Sequence, residues 1–218
     1  MRILHVTDFH FHKAFYGWLE EAAQGYDLVC FTGDFLERYA GVSLPLLAQA
    51  DWIEGWLKHF PSPLIGCLGD HDRAIRGPGG PISILRGGDS ISVLDHNFLC
   101  WPWKPCSDLP EGPLIVLSHE PPAGIFVAQS EEEGDIGDPQ LSAEITRLPR
   151  GSLILSGHNH EPRRWYLETR GTWCLNPGCN LDAIIPNHIA IDTTTRTATF
   201  RAPGFTPPPV RLYHPDSA

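Results

Sequence analysis

The feature that most constrains this chain is a series of five short apolar runs, each of which stops at an aspartate or a histidine. The first holds Ile3, Leu4 and Val6 and opens into HVTDFHFH (His5 to His12), which delivers Asp8 and His10. The others open into FTGDFLE (Phe31 to Glu37), LGDHD (Leu68 to Asp72), LSHEPP (Leu117 to Pro122) and LSGHNH (Leu155 to His160). Short, near-continuous apolar runs read as strands buried on both faces. Open α/β sheets bind ligands beyond the carboxyl ends of their strands. Five strand ends bearing only hard oxygen and imidazole donors therefore predict one composite metal site.

Helical patterns separate the runs. Phe15, Trp18, Leu19 and Ala22 repeat at helical spacing within Ala14 to Gln24, and Leu46, Leu47, Ala50, Ile53, Trp56, Leu57 and Phe60 do so within Pro45 to Phe60. Asp138 followed by Pro139 supplies an N-cap and a first helical residue, so a third helix should run to about Arg147. Arg73 to Gly112 is broken by glycines and prolines, with two antiparallel strands expected at Ser90 to Leu94 and Asn97 to Trp101, joined at Asp95 and His96. Pro102 to Pro110 reads as an irregular loop. Later strands are expected at Thr172 to Asn176, His188 to Asp192 and Thr197 to Ala202. Residues 1–202 thus read as one domain, and the Pro-rich segment 203–218 as an extended, poorly packed tail.

Charge and cysteine usage narrow the function. Sixteen Lys and Arg against 26 Asp and Glu give a net charge of -10, which disfavours general nucleic-acid binding. The six cysteines (Cys30, Cys67, Cys100, Cys106, Cys174, Cys179) form no C-x-x-C pair, and Cys30 and Cys67 sit inside apolar runs. Reduced thiols in a soluble cytoplasmic protein are the expectation, with a Cys174–Cys179 bridge as the alternative. Met1 to Thr7 lacks a signal-peptide layout, and no apolar stretch is long enough for a membrane helix. The acidic stretch with Glu131, Glu132, Glu133, Asp135 and Asp138 does not have EF-hand spacing, so a solvated loop is preferred to a calcium site. The oligomeric state is open, a dimer included.

Two divalent cations roughly 3.5–4 Å apart need about seven or eight protein ligands and a carboxylate that can bridge them. Asp8, His10, Asp34, Asp70, His119, His158 and His160 number seven. Their donor types suit Mn, Fe, Zn or Mg. The strand-end glycines Gly33, Gly69 and Gly157 are expected to let the backbone turn sharply.

The series D-x-H (Asp8, His10), G-D-x-x-E (Gly33, Asp34, Glu37), G-D-H-D (Gly69 to Asp72), His119 and G-H-x-H (Gly157, His158, His160) resembles the calcineurin-like metallophosphoesterase superfamily, over roughly Met1 to Asp192. The resemblance implies an α/β fold, a four-layer α/β/β/α sandwich of two mixed sheets flanked by helices. It also implies hydrolysis of a phosphate ester by in-line attack of a hydroxide shared by two metals, manganese favoured. By matching positions, Asp8, His10, Asp34 and His160 would hold one metal and Asp34, Asp70, His119 and His158 the other. His71 matches the histidine that stabilises or protonates the leaving oxygen. Asp72 would orient its ring or, alternatively, cap a helix. Asn176 would support the site or simply form a turn.

One position departs from the family pattern, in which the third motif usually reads G-N-H-D or G-N-H-E. Asp70 adds a carboxylate there, so two dications, one hydroxide and three carboxylates sum to zero charge instead of one positive charge. One charge at about 5 Å and effective dielectric of about 20 is worth roughly 3 kcal/mol. Tighter metal binding and a preference for a monoanionic diester over a dianionic monoester are expected. The favoured reading is therefore a phosphodiesterase for a small or nucleotide-like ester. The alternatives are a phosphomonoesterase or protein phosphatase, and a catalytically weak metal-binding scaffold.

Overall fold

Alternation along β1 (Arg2–Val6) sets the layering. Leu4 and Val6 turn toward helices on one side, and Ile3 turns toward a second sheet on the other. The computed structural model describes residues 1–39, 44–76, 82–102 and 109–212. β2 (Leu28–Thr32) and β3 (Leu64–Cys67) continue the sheet parallel to β1 and are buried throughout, and β4 (Ile82–Leu85) extends it. The chain then crosses to the second sheet through β5 (Ser90–Val93), β6 (His96–Cys100) and β7 (Leu114–Leu117). A small hairpin, β8 (Gln129–Ser130) and β9 (Gly134–Asp135), lies in the acidic loop. β10 (Leu153–Leu155), β11 (Tyr166–Thr169) and β12 (Thr172–Leu175) complete the second sheet. β13 (His188–Asp192), β14 (Thr197–Arg201) and β15 (Val210–Arg211) return to the first. The strand orders are β15-β14-β13-β1-β2-β3-β4 and β11-β12-β10-β7-β6-β5.

The helices cover the two outer faces. α1 (Lys13–Ala22) buries Phe15, Tyr16 and Leu19, and α2 (Leu46–His59) buries Ala50, Ile53, Trp56 and Leu57, all against the first sheet. Each large apolar side chain so buried contributes about 1.5–3 kcal/mol. α3 (Pro139–Glu144) packs Leu141 on the second sheet, and its Asp138 cap accepts the Gln140 and Leu141 amides at 2.7 and 3.1 Å. A third apolar layer, including Ile3, Ile65, Phe98 and Ile115, fills the space between the sheets. The result is the four-layer α/β/β/α sandwich.

Several expectations change. β4 and β11 escape the sequence reading because glycines flank the first and polar residues dilute the second. The β5–β6 turn falls at Leu94 and Asp95, with φ of 48° and 61°, one residue earlier than expected. The segment after Pro203 is not all loose, since β15 pairs with β14 and Leu212 is buried between the sheets. Cys174 and Cys179 are both buried free thiols, so the alternative bridge is absent. Cys106, like residues 103–108 of the expected irregular loop, lies outside the described residues. Among the described residues no helix is long and apolar enough to cross a membrane.

Candidate metal centre

β1, β2 and β3 run parallel, as do β7 and β10, and the five motif loops leave their carboxyl ends. Backbone hydrogen bonds interlock the loops. The Asp8 amide donates to Gly33 O at 3.0 Å, the His10 amide to Asp34 O at 3.0 Å, and the Gly157 amide to His119 O at 2.8 Å. Asp8, His10, Asp34 and His158 have φ of 54°, 43°, 56° and 65°. Such left-handed residues cost of order 1–3 kcal/mol each, offset here by the bonds that hold them. Gly33 makes the sharp turn that the sequence suggests, at φ 91°. Gly69 and Gly157 have no left-handed φ, and their need is space instead. A Cβ on Gly69 would stand 2.1 Å from Asp34 Oδ1, and one on Gly157 1.8 Å from Thr7 Oγ1 and 2.6 Å from Asp8 Oδ2.

The seven expected donors converge. Asp8, His10 and His160 form one group of compatible ligand atoms, Asp70, His119 and His158 a second, and Asp34 joins Asp8 and His119 in a third. His10 Nε2 lies 3.0 Å from His160 Nε2 and 3.7 Å from Asp34 Oδ2. His119 Nε2 lies 3.3 Å from Asp34 Oδ2 and 3.2 Å from Asp70 Oδ1, and His158 Nδ1 is 3.5 Å from Asp70 Oδ1. Nitrogen and oxygen ligands each about 2.1 Å from one cation stand roughly 3.0–3.5 Å from each other. Four of these five spacings fall in that range, and the 3.7 Å between His10 and Asp34 lies just beyond it.

The electrostatics fit a cation as well. Burial depresses the His10 imidazole below its ordinary range, against the pull of Asp8 and Asp34. Its Nδ1 is buried and makes no hydrogen bond, with Glu37 Oε2 3.2 Å away. Burial also penalises the charged forms of Asp34 and His119, but their mutual hydrogen bond reverses both effects. The Asp34 carboxyl ends below its usual range and the His119 imidazole well above its own. The His119 hydrogen bond likewise holds Asp70 low. His119 Nδ1 faces the carbonyl of Thr32 at 2.9 Å, which leaves Nε2 for the carboxylates. Cation binding to such a set of donors releases protons.

His71 is buried and forms a fourth such group with His10 and Asp34, its Nε2 3.9 Å from Asp34 Oδ2 and 3.8 Å from Asp70 Oδ2. Its Nδ1 accepts the Arg38 amide at 3.1 Å. Asp72 is not the ring partner that the sequence suggested. Among the described residues its carboxylate has no hydrogen bond to His71; it accepts the Leu36 amide at 3.0 Å and the Gly69 amide at 2.9 Å. Burial raises its pKa to about 6. The Asp72 carboxylate thus pins the second motif loop to the third. The buried Asn176 side chain donates to Gly157 O at 2.9 Å and Asn159 O at 3.0 Å, which braces the His158–His160 loop. Sequence reasoning gave no role to Glu37, whose carboxylate approaches both His10 Nδ1 and His71 Nδ1, nor to Arg38. The place of Glu37 at the end of the second motif, with Arg38 directly after it, was the available signal.

Comparisons with known proteins bear on the family and the fold. The sequence pattern described as calcineurin-like phosphoesterase matches residues 1–162. TT1561 of Thermus thermophilus superposes with a TM-score of 0.62 at 12% identity, over 92% of this chain and 97% of that one. YfcE, a phosphoesterase from E. coli, superposes with a TM-score of 0.54 at 12% identity, over 98% of this chain and 100% of that one. Such identities speak to fold alone. No curated protein sequence matches the chain. With the family pattern spanning 162 of 218 residues and all five motif loops, the chain belongs to the calcineurin-like phosphoesterases.

Proposed function

We propose that the centre holds two divalent cations and hydrolyses a phosphodiester of a small or nucleotide-like substrate. The observation that carries this reading is the convergence of the donors around Asp34, which stands between the His10 and His119 sides. Asp8, His10, Asp34 and His160 would hold one cation, and Asp34, Asp70, His119 and His158 the other. Manganese is favoured, with Fe, Zn and Mg compatible with the same donors. When bound, the cations neutralise charge on the phosphoryl oxygens and make water more acidic.

The chain's own residues supply orientation and protons. Because His71 Nδ1 accepts the Arg38 amide, the neutral ring carries its proton on Nε2, which faces the centre. That proton is available to a departing ester oxygen. Asp72 acts as a positioning residue that fixes the loops around His71. Asp8, Asp34 and Asp70 offset three of four cationic charges, which weakens attraction for a dianionic monoester more than for a monoanionic diester. A net charge of -10 also suits a small ester better than a polynucleotide. The free thiols fit a reducing, cytoplasmic setting.

The test is turnover of bis(p-nitrophenyl) phosphate against p-nitrophenyl phosphate by manganese-reconstituted protein, with bound metal measured in parallel. Two manganese ions per chain and a higher kcat/KM for the diester are expected. Faster monoester turnover would replace the reading by a phosphomonoesterase, and no turnover with both metals bound would leave a scaffold.

A further inference from the structure

The mouth of the centre carries an aromatic ring that the proposed chemistry does not use. Tyr39 is 68% exposed, although its ring packs edge-on against His71 with centroids 5.1 Å apart and an interplanar angle of 82°. The Arg38 guanidinium lies over the ring, 5.8 Å from its centroid, and Arg38 Nη1 donates to Asp70 O at 3.2 Å. Tyr39 is also held from below, since its amide donates to Glu37 Oε1 at 2.7 Å and the Glu37 carboxylate faces His10 and His71. Among the described residues the other exposed aromatic rings are elsewhere engaged, Phe126 with Arg164 and Phe205 with Phe200. Tyr39 is the one anchored to the site.

We infer that Tyr39 is a specificity-determining residue, whose ring stacks on a planar aromatic or heteroaromatic substituent of the phosphate ester. The inference rests on the phosphoesterase reading above and specifies the substrate class. The floor of the centre is polar and charged, so it recognises the phosphoryl group without regard to what the group carries. Beside His71, the exposed apolar surface among the described residues that a substituent meets is the remaining free part of the Tyr39 ring. A flat ring covers it best, because offset or edge-to-face pairing adds to the burial of apolar area. A nucleobase fits this description, as does a simple aryl group, and stacking of this kind tolerates many ring types. An alkyl ester would leave the ring in water.

The test uses ligands that cannot be hydrolysed. Dissociation constants of benzylphosphonate and methylphosphonate are measured by calorimetry on manganese-loaded wild type, Tyr39→Phe and Tyr39→Ala, with manganese content as a control for site integrity. The expected wild-type preference for benzylphosphonate is roughly 5- to 150-fold. Tyr39→Phe should keep it, and Tyr39→Ala should reduce it to about one. No preference in the wild type, or a preference that survives in Tyr39→Ala, overturns the inference. So does equal weakening of both ligands with loss of manganese, which would make Tyr39 a structural support. Turnover of bis(p-nitrophenyl) phosphate by the wild type is scored separately, so failure of the phosphoesterase reading is distinguishable from failure of the Tyr39 assignment.

Discussion

His5 provides a quantitative check on the packing beneath the centre. Its side chain follows Ile3 to the face between the sheets, is fully buried, and places Nε2 2.9 Å from Thr32 Oγ1 while Nδ1 has no hydrogen-bond partner. Burial lowers its pKa from 6.5 to about 3. A depressed histidine contributes stability that is present above 6.5 and is lost progressively as pH falls toward 3, because only the unfolded chain takes the proton easily. At pH 4.5, two pH units below the unfolded value, the loss is about 3 kcal/mol at 1.36 kcal/mol per unit. The wild-type pH profile alone hides this effect. The raised Asp72 carboxyl acts with the opposite sign, contributing stability below 3.8 that is lost as pH rises through about 6. The comparison of His5→Gln with wild type at each pH isolates the His5 contribution. Urea unfolding of the metal-stripped proteins, followed by tryptophan fluorescence, should show Gln gaining about 3 kcal/mol on wild type between pH 7.5 and 4.5. With an m-value of about 2 kcal/mol/M, this is a relative midpoint shift of ~1.5 M. A stability difference that does not change with pH would refute the buried neutral imidazole.

Three further outcomes are expected. Asp70→Asn should weaken manganese binding and raise monoester relative to diester kcat/KM by about tenfold, the roughly 3 kcal/mol of an unscreened charge being reduced by solvent at a side chain 39% exposed; an unchanged ratio of the two esters would remove the charge argument. His71→Gln should lower kcat for bis(p-nitrophenyl) phosphate by about 10²- to 10⁴-fold while two manganese ions stay bound, and metal loss instead would make His71 a ligand. Gly157→Ala drives a Cβ into Thr7 Oγ1 and Asp8 Oδ2, so it should cost about 1–3 kcal/mol and lower Tm by roughly 2–4 °C per kcal/mol; a wild-type melting curve would mean that both side chains yield freely.

The five ligand stretches were legible because each lies within a few residues of a buried parallel strand. Apolar patterning finds the strand, and the strand end locates Asp8, Asp34, Asp70, His119 and His158 without knowledge of the sheet order. What depends on approach between distant loops was not legible. Asp72 looks like a partner for its neighbour His71, yet its carboxylate bonds to the Leu36 and Gly69 amides. The amide that meets the His71 ring comes from Arg38, and the adjacent carboxylate from Glu37. β15 was missed for a related reason. Two residues carry no periodicity, and only pairing with β14 makes Val210 and Arg211 a strand.

The position of β1 has a consequence for the order in which the molecule can be completed. β1 precedes the other strands of both sheets along the chain, but one of its flanks pairs with β2 and the other with β13, through Arg2 with Asp192 and Ile3 with Ile191. β10 likewise waits for β12, since Leu153 pairs with Trp173. Until those strands arrive, the two strands that lead into Asp8, His10, His158 and His160 each expose an edge able to pair with another chain. Such long-range closure is slow by the usual relation between contact order and folding rate. The nascent chain therefore carries its earliest ligands long before it can brace them, and residues 163–192 act as the clasp that finishes the centre.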